Sequence, residues 1–116
     1  MKKIILDCDP GMDDSMAIVM AAKSEVLAVT TVNGNYPAEI TAKNARKVLE
    51  MLGRTDIPVA RGMAQPMVHP CPKDPFSHGA DGQAENFLPE PQMALHPLHA
   101  VDLIIDLVKK NPGEIT

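Results

Sequence analysis

Lys3-Ile4-Ile5-Leu6-Asp7-Cys8-Asp9-Pro10-Gly11-Met12-Asp13-Asp14 decides how this chain folds. Ile4, Ile5 and Leu6 form a continuous apolar run, as in a short buried strand, and the acids with Pro10-Gly11 end it. Asp13 and Asp14 then open a helical pattern carried by Met16, Ala17, Val19, Met20 and Ala21, with the acids in the first turn, where the helix dipole favours them. Lys23-Ser24-Glu25 closes that pattern. A strand over Lys3 to Asp9 thus passes through a sharp turn into a helix, and four carboxylates crowd the passage.

Outward from this unit the same alternation repeats. Val26 to Val32, rich in Val and Thr, reads as a second strand and stops at the turn Asn33-Gly34-Asn35. Pro37 begins a longer helix whose Ile40, Ala42, Ala45, Val48, Leu49 and Leu52 follow a 3.6-residue stripe, closed by Gly53. Ile57 to Ala60 is a third short strand. Residues 61–96 hold six of the eleven prolines and show neither period, which marks a functional loop. His99 to Lys110, preceded by Pro97, is an amphipathic helix broken by Asn111-Pro112-Gly113, and Glu114-Ile115-Thr116 begins a fourth strand. Strand and helix in alternation predict an α/β fold: a Rossmann-like parallel sheet, right-handed in its crossovers and flanked by helices, with three strands and the start of a fourth.

At 116 residues, 45% hydrophobic and 22% charged, the chain is expected to form one globular domain or part of one. A formal charge of −4 and the lack of a basic stripe argue against nucleic acid as partner. No run of 18 apolar residues suggests a membrane span, and Asp7 comes too early for a secretory signal, so the expected compartment is the cytoplasm. Cys8 and Cys71 are read as thiols. Cys8 alternates with Asp7 and Asp9 and is expected to face packing, away from them.

In open parallel sheets ligands bind beyond the carboxyl ends of the strands, where Asp9 and Asn35 both lie. Four acids within eight residues repel one another unless a cation sits among them, and the spacing lets Asp7, Asp9 and Asp14 converge around the turn that Gly11 permits. A hard divalent cation fits; acids alone do not separate calcium from magnesium. The plainer alternative is that Asp13 and Asp14 only favour a helix start while Asp7 and Asp9 are solvated. Of the histidines, His69, His96 and His99 read as loop or cap residues. Met16 and Met20, one helical turn apart, are expected in the core.

Asp7 through Asp14 resembles the acid-any-acid-Pro-Gly-any-acid-acid motif of the inosine-uridine preferring nucleoside hydrolases. Thr30-Thr31-Val32-Asn33-Gly34-Asn35 is similar to that family's second strand and turn, His78-Gly79-Ala80-Asp81-Gly82 to its His-Gly loop, and Ala100-Val101-Asp102-Leu103-Ile104-Ile105 to its next helix. Residues 1–116 would be the amino-terminal part of one such domain, with 61–96 as a long active-site loop. The resemblance implies hydrolysis of the N-glycosidic bond of ribonucleosides to ribose and free base, with Ca2+ as cofactor. It implies Asp9 as calcium ligand and acceptor of the proton from the attacking water, and Asp14 as calcium ligand. Asp13 and Asn35 would hold the ribose hydroxyls and water, His78 would face the nucleoside, and Asp7 would support the metal or bind it weakly. It further implies a homo-oligomer, dimer or tetramer, or association with the carboxyl-terminal part that supplies further calcium ligands. Ala80 to Asn86 departs from the more apolar family pattern, and only Tyr36, Phe76 and Phe87 could stack on a base.

Two other readings compete. A metal-dependent phosphatase of the haloacid-dehalogenase type also places two acids one residue apart after its first strand, although it wants Gly-Thr where this chain has Pro10-Gly11. A shortened, catalytically incomplete family member would fold or associate without turnover, because three carboxylates cannot fill six to eight calcium positions.

Overall fold

Apolar side chains on Leu6, Val26 and Val29 need a cover that a single strand cannot give, and the chain supplies it by crossing over twice on one side. The elements are β1 (Lys3–Cys8), α1 (Met12–Ala21), β2 (Glu25–Thr31), α2 (Ala38–Met51), β3 (Val59–Arg61) and α3 (Ala100–Lys110). The computed structural model describes residues 2–74 and 76–116; Met1 and, within the proline-rich loop, Pro75 lie outside the described residues. β1, β2 and β3 are parallel neighbours in that order.

Side-chain alternation sorts the sheet into two faces. Cys8, Val26, Val29 and Val59 join Ile18 of α1 and Ala45, Val48 and Leu49 of α2 in the main core. Ala28 and Ala60 face the other way, toward Ala100 and Leu103 of α3. An irregularity in the β1–β2 register, where Ile4 pairs with Val26 and Ile5 with Ala28, sets Leu27 aside and lets Val26 and Val29 share a face. Cys8 packs in the core as expected, and both cysteines are free thiols.

Met16 and Met20 correct an expectation. They are 61% and 73% exposed, whereas Ile18 is 1% exposed. The first helix turns Ile18, with Val19 and Ala21 partly buried beside it, toward the sheet, so the apolar spacing at 16 and 20 lies on its outer side.

The predicted fourth strand is present as a single parallel bridge between Lys3 and Ile115, at the edge of β1 opposite β2. The Ile5 N–H donates to the Thr116 carbonyl at 3.1 Å and the Thr116 N–H to the Lys3 carbonyl at 2.9 Å. Strand order across the sheet therefore reverses direction at β1. A right-handed crossover in the reverse direction puts its helix on the opposite face, and α3 packs on the face away from α1 and α2. The crevice at such a reversal is where open α/β sheets bind ligands, and here it adjoins the carboxyl end of β1. Residues 62–99 contain no helix or strand among those described. No helix among the described residues is long and apolar enough to cross a membrane.

Candidate functional site

β1 ends at Cys8, and the next residues carry the acids over the top of the sheet into α1. Gly11 is the N-cap of α1, and no side chain caps the helix, so Asp13 and Asp14 are not capping groups. Asp14 instead reaches back: its Oδ2 accepts from the Asp9 backbone N–H at 2.9 Å. The Asp9 and Asp14 carboxylates also meet within hydrogen-bonding reach.

Burial, and then the charge of Asp14, raise the pKa of Asp9 above its ordinary value, with Asp13 adding to the effect and the Asn35 backbone N–H opposing it. The strand-end turn of β2 closes around the same group. A Cβ on Gly34 would lie 1.7 Å from the Asp9 Oδ2, so only glycine allows the carboxylate this close to the 33–35 turn. Asp9, Asp14, the Asn35 backbone and the more exposed Asp13 are thus gathered at one point. Asp7 is engaged elsewhere. It pairs in register with Thr30, whose Oγ1 donates to Asp7 Oδ1 at 2.6 Å.

Among the described residues no three His, Cys, Asp or Glu side chains converge as metal ligands, and Asp7 stands apart from Asp9 and Asp14. Pairing with β2 is the reason: Asp7 stands over the sheet beside a hydroxyl, whereas Asp9 and Asp14 lie beyond the last ladder pair. Two facing carboxylates with no cationic side chain between them still match a hard cation in charge and donor type, although not in ligand number. Burial and the surrounding acids push the Cys8 thiol up, which keeps it neutral beside the acids rather than a thiolate ligand.

His78 comes to this site from the long loop. Its Nδ1 accepts from the Met12 backbone N–H at 3.0 Å, and a Cβ on Gly11 would approach that nitrogen to 2.6 Å. Tyr36, buried, donates its hydroxyl to the Gly79 carbonyl and meets the His78 ring edge-on at a centroid distance of 6.4 Å. Tyr36 is therefore a tie for the loop, and Phe76 and Phe87 are exposed. His99 caps α3 through Val101 N–H and His96 accepts from Leu98 N–H, as loop and cap residues should.

Residues that the sequence did not single out complete the arrangement. Asn44 of α2 donates to the Pro10 carbonyl at 3.2 Å and to the Asp81 carbonyl at 3.1 Å. Lys73 bonds Asn33 Oδ1 and the Gly34 carbonyl, bringing a positive charge to the rim of the turn. An amide on a helix face otherwise filled by Ala45, Val48 and Leu49, with Thr41 beside it, was the available signal for Asn44; Lys73 carried none. A cleft of about 440 Å3 between α1, α2 and residues 83–88 has no acidic residue in its lining, so this cleft and the acid pair do not coincide.

Comparison with known proteins bears on this constellation. Residues 4–116 match the model of the inosine-uridine preferring nucleoside hydrolases. A pyrimidine-specific ribonucleoside hydrolase of Photobacterium profundum is 40% identical over 118 residues, covering 99% of this chain and 38% of its own length. The inosine-uridine preferring nucleoside hydrolase of Leishmania major is 42% identical over 120 residues, covering 99% and 38%. The solved purine-preferring ribonucleoside hydrolase of Gardnerella vaginalis superposes with a TM-score of 0.91 at 31% identity, over 98% of this chain and 38% of its own. The chain thus spans under two fifths of the length of these relatives, and the phosphatase reading of its strand-end acids lapses. Matched over all but its first three residues, in sequence and in fold, this chain belongs to the inosine-uridine preferring nucleoside hydrolase family.

Proposed function

We propose that this chain carries the cation- and ribose-facing portion of a site that hydrolyses the N-glycosidic bond of ribonucleosides. The observation that carries this reading is the Asp9–Asp14 carboxylate pair, set at the carboxyl end of β1 against the Asn35 turn. Relatives named for pyrimidine, purine and inosine-uridine preference all match nearly the whole of this chain, which supports the ribonucleoside as substrate class and no particular base.

Asp9 and Asp14 would hold calcium, with Asp7 behind them. When bound there, calcium supplies positive charge that makes a neighbouring water more acidic. Asp9 accepts the proton of the attacking water, and a carboxylate whose proton affinity is raised by burial and by Asp14 is a stronger base than a free aspartate. Asp13 and Asn35 hold the ribose hydroxyls, which fixes the sugar for attack at C1′. Negative charge around the sugar stabilises the oxocarbenium-like state through which such bonds break.

A second reading is favoured by the ligand count: Asp9 and Asp14 alone leave most of the six to eight calcium positions to water or to other protein groups. On this reading the 116-residue chain binds the cation and the sugar weakly and needs further residues of the family fold, from a longer chain or an associated one, for turnover. Ribose release from inosine and uridine with millimolar calcium, alongside calcium calorimetry, separates the two. Turnover abolished by Asp9→Ala supports hydrolysis by this chain, and calcium binding without turnover supports the incomplete site. Neither binding nor turnover overturns both.

A further inference from the structure

We propose that Asn44 is a positioning residue: its amide ties the acidic turn to the His78 loop and thereby holds the His78 imidazole in its Nε2–H tautomer. Asn44 lies mid-helix in α2 and is 1% exposed. A buried amide is costly unless its N–H groups are satisfied. Here both bonds go to backbone carbonyls of two different segments, Pro10 at 3.2 Å and Asp81 at 3.1 Å. Carbonyls only accept, so the nitrogen must face them; the flipped amide would set oxygen against oxygen on both sides.

The loop is shaped to receive this amide. Gly82 has a φ of +76°, and a Cβ there would lie 2.9 Å from Asn44 Nδ2 and 3.3 Å from the Tyr36 ring. One residue further on, Gln83 Nε2 donates to Ser15 Oγ at 3.3 Å, while the Ser15 hydroxyl donates to the Gly11 carbonyl. The loop is thus laid along the turn, and His78 meets Met12. Because the Met12 N–H occupies Nδ1, the neutral ring carries its proton on Nε2. His78 then offers a ligand a hydrogen-bond donor and no acceptor. That the ligand is a nucleoside rests on the function proposed above; the clamp and the tautomer do not.

The test is 15N NMR of the histidine rings in the full 116-residue chain, at a pH well above the usual imidazole value of about 6.5. In the parent chain His78 and His99, each with Nδ1 bonded to a backbone N–H, should show widely separated ring-nitrogen resonances. Asn44→Asp keeps the shape of the side chain and removes both donors. It should bring the two His78 resonances toward each other while His99 stays unchanged, whereas a residue that merely fills space would leave both rings as they were. Gly82→Ala attacks the same contact from the loop and should give the same result, which covers an Asn44→Asp chain that does not fold. His78 unchanged in Asn44→Asp, or in Gly82→Ala if only that variant folds, overturns the clamp. Release of His78 in a chain whose parent binds no nucleoside upholds the clamp and removes the functional reading instead.

Discussion

Asp14 accepts the backbone N–H of Asp9 at 2.9 Å while its carboxylate faces the carboxylate of the same residue. One bond organises the turn and the other juxtaposition strains it electrostatically. Like charges at this range are tolerated when a proton or a cation stands between them.

Calcium should therefore stabilise the folded chain. At a concentration tenfold above its dissociation constant, linkage gives about 1.4 kcal/mol, a rise of several degrees in melting temperature. Asp14→Asn should abolish that rise. A melting temperature unmoved by calcium at tens of millimolar would remove Asp9 and Asp14 as its ligands.

Gly34→Ala should act as strongly as a change to Asp9 itself. The added methyl would sit 1.7 Å from Asp9 Oδ2, so either the carboxylate or the 33–35 turn must move. We expect a loss of about 1–3 kcal/mol in denaturant unfolding, together with weakened calcium binding. Calcium affinity equal to that of the parent would contradict the packing of Asp9 against this turn.

The 81–87 segment should loosen in acid. Burial pushes the Asp81 carboxyl up, but the N–H groups of Gln83, Glu85 and Phe87 outweigh it and hold the pKa below its ordinary value. A pKa lowered on folding contributes stability above the unfolded value of about 3.9 and loses it as pH falls through the folded value. The carboxylate also holds Glu85 and Phe87 at positive φ, a conformation that unrestrained L-residues avoid. Protection of the 81–87 amides against exchange, relative to the intrinsic rate at each pH, should fall below about pH 4, and Asp81→Asn should show reduced protection at pH 7 already. Protection in the parent that stays undiminished down to about pH 2 would count against this role.

Ile18 and Met20 lie on the same helix and should respond oppositely. Ile18→Ala opens a cavity between α1 and the sheet and should cost about 2–5 kcal/mol. Met20→Lys changes an exposed side chain and should stay within about 0.5 kcal/mol. Equal costs in urea unfolding would mean that the helix face is misassigned.

The chain itself determined the order of strands and helices, the parallel sheet and the grouping of Asp9, Asp14 and Asn35. Those follow from local periodicity, from turn residues, and from the rule that strand ends in such sheets lie together. Which face of α1 is buried did not follow, because Met16 and Ile18 are both apolar and only contact with α2 and the sheet separates them. Asp7 looked like part of the acid cluster until the β1–β2 register set it beside Thr30. The seat of His78 was likewise beyond the sequence, since it depends on Asn44, Gly82 and Met12, far apart in the chain and joined only by folding. Composition and spacing place a charge at a strand end. Which groups it meets there is decided by long-range packing, where bonds of a few ångströms depend on segments that no local pattern connects.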